Sequence, residues 1–159
     1  MTIDQFFCYG YIMKNAKYNQ NILVDFKGRI AQKKRIEQYI KNTLRYFIPR
    51  LRRVVSVNII VSNTLEDDCY GWCLGGRKEI EIELARSSGK ESFDLDYMML
   101  NLAHELVHAK QFLSGQLSPY HFRWKTKDYK GIAYSNTPWE REAYKKEDWI
   151  YETFWLGKG

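Results

Sequence analysis

The chain has 159 residues, of which 45% are apolar and 16% aromatic, so it is long and apolar enough to fold around its own core. This composition excludes an intrinsically disordered chain, and no apolar run reaches the roughly 18 residues of a membrane span. Three cysteines, Cys8, Cys69 and Cys73, are too few for a disulfide framework and fit a reducing cytoplasm. We therefore expect a soluble, cytoplasmic, single domain over residues 1–159.

The net charge of +6 comes from one segment. Residues 27–53 contain ten Lys or Arg and one acid, Glu37, whereas the rest of the chain has more acids than bases. Apolar residues recur at spacings of three and four over residues 29–48, which predicts an amphipathic helix that ends at Pro49. Its basic faces are either simply solvated or bind an anion such as nucleic acid. No aromatic platform or glycine-rich RNA motif accompanies them, so the solvated surface is the first interpretation.

Three strands are predicted before the central helix. Residues 21–26 and 54–62 are rich in β-branched and apolar side chains. Residues 78–84 alternate between glutamate and an aliphatic residue, which is typical of a half-buried strand. Its glutamates are interpreted as a solvated face, and its edge as a surface that can pair with an extended peptide. Residues 63–76 predict a loop, whose Cys69 and Cys73 are interpreted as structural thiols.

The motif His-Glu-Leu-Val-His, residues 104–108, lies in an apolar run from Leu95 to Leu113. Residues four apart share one face of a helix, so His104 and His108 can bind one metal ion. Glu105 lies between them, where it can act on a water molecule beside the metal. Ser92 or Asp94 is expected to cap this helix, and Gly115 to end it. The sequence therefore predicts a zinc site on a central, buried helix.

The third zinc ligand has several candidates. A catalytic zinc ion usually has three protein ligands and leaves a fourth position for water. Glu140 and Glu142 lie in a helix that Thr137 and Pro138 are expected to begin. Glu140 can instead form a capping box with Thr137. His121 is the remaining candidate, because it also follows the motif.

The motif together with the later segment Trp-Glu-Arg-Glu-Ala, residues 139–143, resembles the gluzincin branch of zinc metallopeptidases. The resemblance is to small single-domain members, including phage-encoded proteins with a Trp-Glu-x-Glu-Ala segment and bacterial ImmA/IrrE-like proteases. It implies that Glu140 is the third ligand and that Ala143 allows two helices to approach. The chain departs from the family at Tyr144, where an acid or Asn often orients a ligating histidine. SprT-like proteases, which act on proteins crosslinked to DNA, are also similar and would use His121.

These resemblances imply an α+β, zincin-like domain with a small mixed sheet, whose edge strand packs on the central motif helix. A basic helix precedes that helix, and another helix follows it. We expect a zinc-dependent metalloendopeptidase in which Glu105 is the general base. Tyr129, Tyr134 and His121 are candidates for stabilising the oxyanion, and Asn101 for orienting a ligand. The rival hypotheses are a DNA-associated protease and a zincin-like binding module without activity.

Overall fold

The computed structural model describes residues 20–118 and 123–158, which form an α+β fold with a four-stranded mixed sheet and three α-helices. Cys8 and His121 lie outside the described residues. In chain order the main elements are β1 (Ile22–Lys27), α1 (Lys33–Phe47), β2 (Val55–Ser62), β3 (Gly71–Gly75), β4 (Glu79–Ala85), β5 (Ser87–Ser88), β6 (Glu91–Ser92), α2 (Leu95–Leu113), β7 (Arg123–Trp124), β8 (Lys127–Asp128) and α3 (Pro138–Ile150). Short 3₁₀ turns precede β3 and α3, and a π-helical turn, Tyr151–Trp155, extends α3.

The four-stranded sheet has the order β1-β2-β4-β3. β1, β2 and β4 are parallel, and β3 is antiparallel to β4. The alternation predicted for β4 is confirmed, since Ile80, Ile82 and Leu84 are fully buried whereas the glutamates between them are not. The prediction that this strand has a free edge is wrong, because β2 and β3 pair with its two sides.

The free edge near the motif belongs to β3, in a segment for which the sequence predicts a loop. Its glycines have low strand propensity, so only pairing with β4 makes this segment a strand. Gly71 also allows β3 to approach α2 closely. A Cβ atom at Gly71 would lie 3.2 Å from both Cγ and Oε1 of Glu105. The edge strand therefore lies directly against the motif.

Helix α2 is central and buried, as predicted. The Asp94 side chain caps it by accepting a hydrogen bond from the backbone nitrogen of Tyr97 at 2.8 Å. Gly115 follows its end with a φ of 74°, a conformation that favours glycine. The helix packs against β3 and β4 on one side and against α3 on the other. This position brings its histidines between the sheet edge and α3.

Helix α1 begins four residues later than predicted, because Gln32 has a left-handed φ of 58°. Several cations of the basic segment have structural partners. Arg45 is 1% exposed and donates to the Leu51 carbonyl at 2.7 Å. Arg35 lies 3.7 Å from the centre of the Trp155 ring. These cations stabilise the fold, and nucleic-acid binding by the segment stays a prediction.

One hydrophobic core lies between the inner face of the sheet and the helices. It joins aliphatic side chains of β1, β2 and β4 to those of α1, α2 and α3, and its fully buried members include Ile22, Val57, Ile59, Ile82, Ile36, Leu44, Leu102, Leu106 and Ile150. In the described parts of the chain, no helix combines the length and apolarity needed to cross a membrane.

Candidate metal centre

Helices α2 and α3 bring together three side chains that can ligate a metal ion. His104 and His108 share one face of α2, and Glu140 comes from the first turn of α3. Nε2 of His104 lies 3.2 Å from Oε2 of Glu140, and Nε2 of His108 lies 3.0 Å from Oε1. One ligand atom from each of the three side chains lies within 4.8 Å of the other two.

This group of ligands fits zinc. Two imidazole nitrogens and a carboxylate oxygen are a common set at catalytic zinc sites. Glu140 is 1% exposed, so its charge needs a cation or a proton close by. Its Oε1 makes no well-formed hydrogen bond to a described residue, although Nε2 of His108 is only 3.0 Å away. A metal ion between these atoms would satisfy the carboxylate and both imidazoles.

The structure distinguishes Glu140 from the other interpretations of this side chain and from the other candidates for the third ligand. The capping box with Thr137 does not form, because the Thr137 hydroxyl donates to the Tyr134 carbonyl at 2.7 Å and caps no backbone nitrogen. Glu142 accepts from Lys110 at 2.5 Å and from Lys146 at 2.8 Å. His121 has no described position. Among the described residues, Glu140 is therefore the acid that joins the two histidines.

Two further side chains orient the imidazoles, and neither was predicted from the sequence. Nδ1 of His104 donates to Glu147 at 2.6 Å, and Nδ1 of His108 donates to Oε1 of Gln111 at 2.9 Å. With both Nδ1 atoms used in this way, both Nε2 atoms are free for a metal ion. Spacing could have indicated these partners. Glu147 is two turns after Glu140 on α3, and Gln111 is one turn after His108 on α2.

The acid that orients His104 is therefore Glu147 and does not lie at position 144, where this chain has Tyr144. The Tyr144 ring instead packs edge-on against His104, with 4.8 Å between ring centroids. Gln111 also donates from Nε2 to the Trp139 carbonyl at 3.0 Å, which ties α2 to the start of α3. The orientation of His108 and the docking of α3 are thus linked through one amide.

We expect Glu147→Ala to weaken zinc binding by roughly ten- to a hundredfold, because the His104 ring loses the acceptor that orients it. The matched control is Glu152→Ala, since Glu152 is an exposed acid in the π-helical turn after α3. Competition with a chromophoric chelator at pH 7 measures both affinities. Equal affinities in the two variants would show that Glu147 does not support the metal site.

In the metal-free site, Glu105 is a buried carboxyl with a perturbed pKa. It is 6% exposed, and its burial raises the pKa of its carboxyl to about 7, although His108 and His104 act in the opposite direction. A carboxyl with a pKa near neutrality can both accept and return a proton. In the metal-free site, burial alone would raise the pKa of Glu140, but the two histidines beside its carboxylate outweigh burial and lower that pKa. Glu140 is thus ionised, as a metal ligand must be.

The ligands open into a cleft of about 1160 Å³. Its walls are β3 on one side, α2 beneath, and α3 with the Tyr134 segment on the other side. Tyr134 lies in the cleft, where burial and the carboxylate of Glu140 raise the pKa of its hydroxyl, whereas Tyr129 packs against the Trp139 ring at 5.9 Å. Of the described candidates for the oxyanion, Tyr134 is therefore the one beside the metal ligands.

Asn101, Cys69 and Cys73 also line the cleft. Nδ2 of Asn101 is buried and has no hydrogen-bond partner among the described residues, and a role for Asn101 in orienting a ligand stays a prediction. The two cysteines are free thiols, and burial raises the pKa of Cys73 well above its usual value. Cys73 is thus a neutral thiol beside Glu105, which is consistent with a structural role.

Comparison with known proteins assigns no family to the chain. It matches no family model, no curated protein and no solved structure. The case for a function therefore depends on the arrangement of His104, Glu105, His108 and Glu140 in the cleft.

Proposed function

We propose that this protein is a zinc-dependent metalloendopeptidase. The observation that carries the proposal is the convergence of His104, His108 and Glu140 beside the buried carboxyl of Glu105. Such a group of ligands and such a base are what metal-assisted hydrolysis of an amide requires. A zincin-like domain is part of the same proposal, since the edge strand β3 lies against the motif helix α2 and both line the cleft.

The roles of the residues follow from their positions. His104, His108 and Glu140 would hold the zinc ion, which supplies a Lewis acid for the scissile carbonyl and lowers the pKa of a bound water molecule to roughly 7. Glu105 accepts the proton of the attacking water and later donates it to the leaving amine. Glu147 and Gln111 keep the imidazoles oriented throughout.

The edge strand β3 supports a polypeptide substrate. One side of β3 is paired with β4, and among the described strands none pairs with its other side. An extended peptide can bind such an edge through backbone hydrogen bonds. Gly71 brings the strand against Glu105, so a peptide bond held on this edge would lie near the general base. In this proposal β3 has the peptide-binding edge that the sequence alone predicts for residues 78–84.

Tyr134 is proposed to donate its hydroxyl hydrogen to the oxyanion. Because Tyr134 is 65% exposed, Tyr134→Phe removes the donor with little effect on packing. We expect kcat to fall by roughly ten- to a thousandfold, with a smaller change in KM and full zinc content. Tyr129→Phe is the matched control, since that hydroxyl belongs to a ring packed on Trp139. Equal kcat values for the two variants would remove Tyr134 from the mechanism.

Metal analysis combined with a cleavage assay tests the whole proposal. We expect one zinc ion per chain after purification without chelator. An unfolded protein substrate should be cleaved, cleavage should stop after treatment with a chelator, and zinc should restore it. A chain without bound metal would contradict the proposal. A chain with one zinc and no cleavage of any unfolded protein would favour a binding module instead.

A further inference from the structure

The two ends of the cleft can be distinguished by their neighbours. Tyr70, just before β3, packs against Tyr97 near the start of α2, with 6.1 Å between ring centroids. Beyond the other end of β3, Arg53 donates to the carbonyls of both Arg77 and Leu113, the last residue of α2. β3 and α2 therefore run in the same direction. We call the two parts of the cleft the Tyr97 end and the Phe112 end, and the metal ligands lie between them.

The Tyr97 end is acidic. Asp67 and Asp68, shortly before Tyr70 in the chain, are among the residues that line the cleft, and Glu147 lies beside His104. The Asp68 carboxylate also accepts a hydrogen bond from the Gly89 backbone nitrogen at 3.3 Å. Among the described residues, no Lys or Arg lines any part of the cleft, although the chain contains 25 of them. The described lining of the cleft thus includes acidic side chains and no Lys or Arg, although the net charge of the chain is +6.

The Phe112 end is apolar. Phe112, Leu117 and Trp139 line it and are 6%, 9% and 4% exposed, and Leu74 of β3 lies at its rim. A large apolar side chain placed here would lose contact with water on most of its surface.

We propose that the substrate is a polypeptide segment with Lys or Arg on one side of the scissile bond and a large apolar residue on the other. This inference rests on the proposed peptidase function. The acids of the Tyr97 end attract an ammonium or guanidinium group and repel a carboxylate, and that repulsion excludes acidic segments. The Phe112 end binds the apolar side chain by removing it from water.

Binding to the zinc-loaded Glu105→Gln protein tests this selectivity without requiring turnover. The peptides have equal length and differ in the two residues that flank the central bond. The pairs are Lys and Leu, Glu and Leu, and Lys and Ser, and each pair is made in both orders. In one of the two residue orders, we expect the peptide with Lys and Leu to bind roughly tenfold more tightly than the peptide with Glu and Leu at low salt. This difference in affinity should shrink at 1 M salt. Replacing Leu by Ser should cost roughly tenfold at any salt concentration.

Two variants connect the selectivity to the Tyr97 end. Asp67→Asn with Asp68→Asn removes two charges, and Asn tolerates the left-handed φ values of 54° and 52° at these positions. We expect the preference for Lys over Glu to fall by about two- to tenfold. Glu66→Gln is the matched control, because Glu66 is in the same 3₁₀ turn but does not line the cleft.

The outcomes separate the two proposals. Equal affinities for the Lys and Glu peptides, or equal effects of the double variant and Glu66→Gln, would overturn the charge selectivity. Loss of the difference between Leu and Ser would overturn the role of the Phe112 end. If the wild-type protein cleaves all peptides equally, the proposed selectivity is wrong and the proposed peptidase function is supported. If the peptides bind in the expected order and none is cleaved by the zinc-loaded wild type, the peptidase fails.

Discussion

Glu105→Gln is expected to lower kcat/KM for peptide cleavage by about a hundred- to ten-thousandfold while zinc stays bound. Glutamine has nearly the same shape as glutamate but cannot accept the proton of the attacking water. The metal should be retained, because His104, His108 and Glu140 form the ligand group without this side chain. Cleavage of a quenched fluorescent peptide gives kcat/KM, and elemental analysis gives zinc per chain.

Glu81→Gln is the control for this experiment. It makes the same chemical change on β4, outside the residues that line the cleft, and should leave kcat/KM unchanged. Zinc-dependent cleavage that survives in Glu105→Gln would show that another group takes the proton, and the proposed mechanism would be wrong.

The same substitution should change how the stability of the metal-free protein depends on pH. The folded protein keeps the Glu105 proton up to a pH of about 7, whereas the unfolded chain loses it near 4.5. Between these values the folded state binds more protons, so its free energy of unfolding falls as pH rises. Glu105→Gln has no such proton to lose. Urea unfolding gives the free energy of unfolding of the variant and of the wild-type protein at pH 5 and at pH 7.5. From pH 5 to pH 7.5, the difference between the two proteins should change by about 2 kcal/mol in favour of the variant. If this difference is the same at both pH values, the raised pKa of Glu105 is contradicted.

Glu140→Gln is expected to weaken zinc binding by roughly a hundredfold or more, beyond the effect typical of groups that only orient a ligand. The amide is neutral, so it can no longer balance the charge of the metal ion as the carboxylate does. Glu142→Gln is a close control, two residues away on α3. It weakens ion pairs with Lys110 and Lys146, so stability should change by less than about 1 kcal/mol and zinc affinity should not change.

Three variants together identify the third ligand. Retention of tight zinc binding by Glu140→Gln, or its loss in Glu142→Gln, would overturn the assignment. His121→Ala completes the comparison, since His121 lies outside the described residues and is the ligand that the SprT-like resemblance implies. We expect His121→Ala to bind zinc as tightly as the wild-type protein. Chelator competition at one pH gives all three affinities on one scale.

The sequence predicted the parts of this protein that depend on spacing within one element. The motif residues His104, Glu105 and His108 share a helix, so their relative positions follow from its 3.6-residue period. The same local reasoning predicted β4, α2 and α3 to within a few residues, because alternation, capping residues and Pro138 are read along the chain. No knowledge of neighbouring elements is needed for such patterns.

Tertiary structure decided what depends on contacts between elements. Glu140 and Glu142 are both early in α3, and only the way α3 packs against α2 directs the first to the histidines and the second to Lys110. Glu147 reaches His104 by the same packing. β3 became the edge strand through hydrogen bonds to β4, which its glycines do not predict. Periodicity specifies the face that a helix or strand presents, whereas the residue that meets that face depends on how the elements dock.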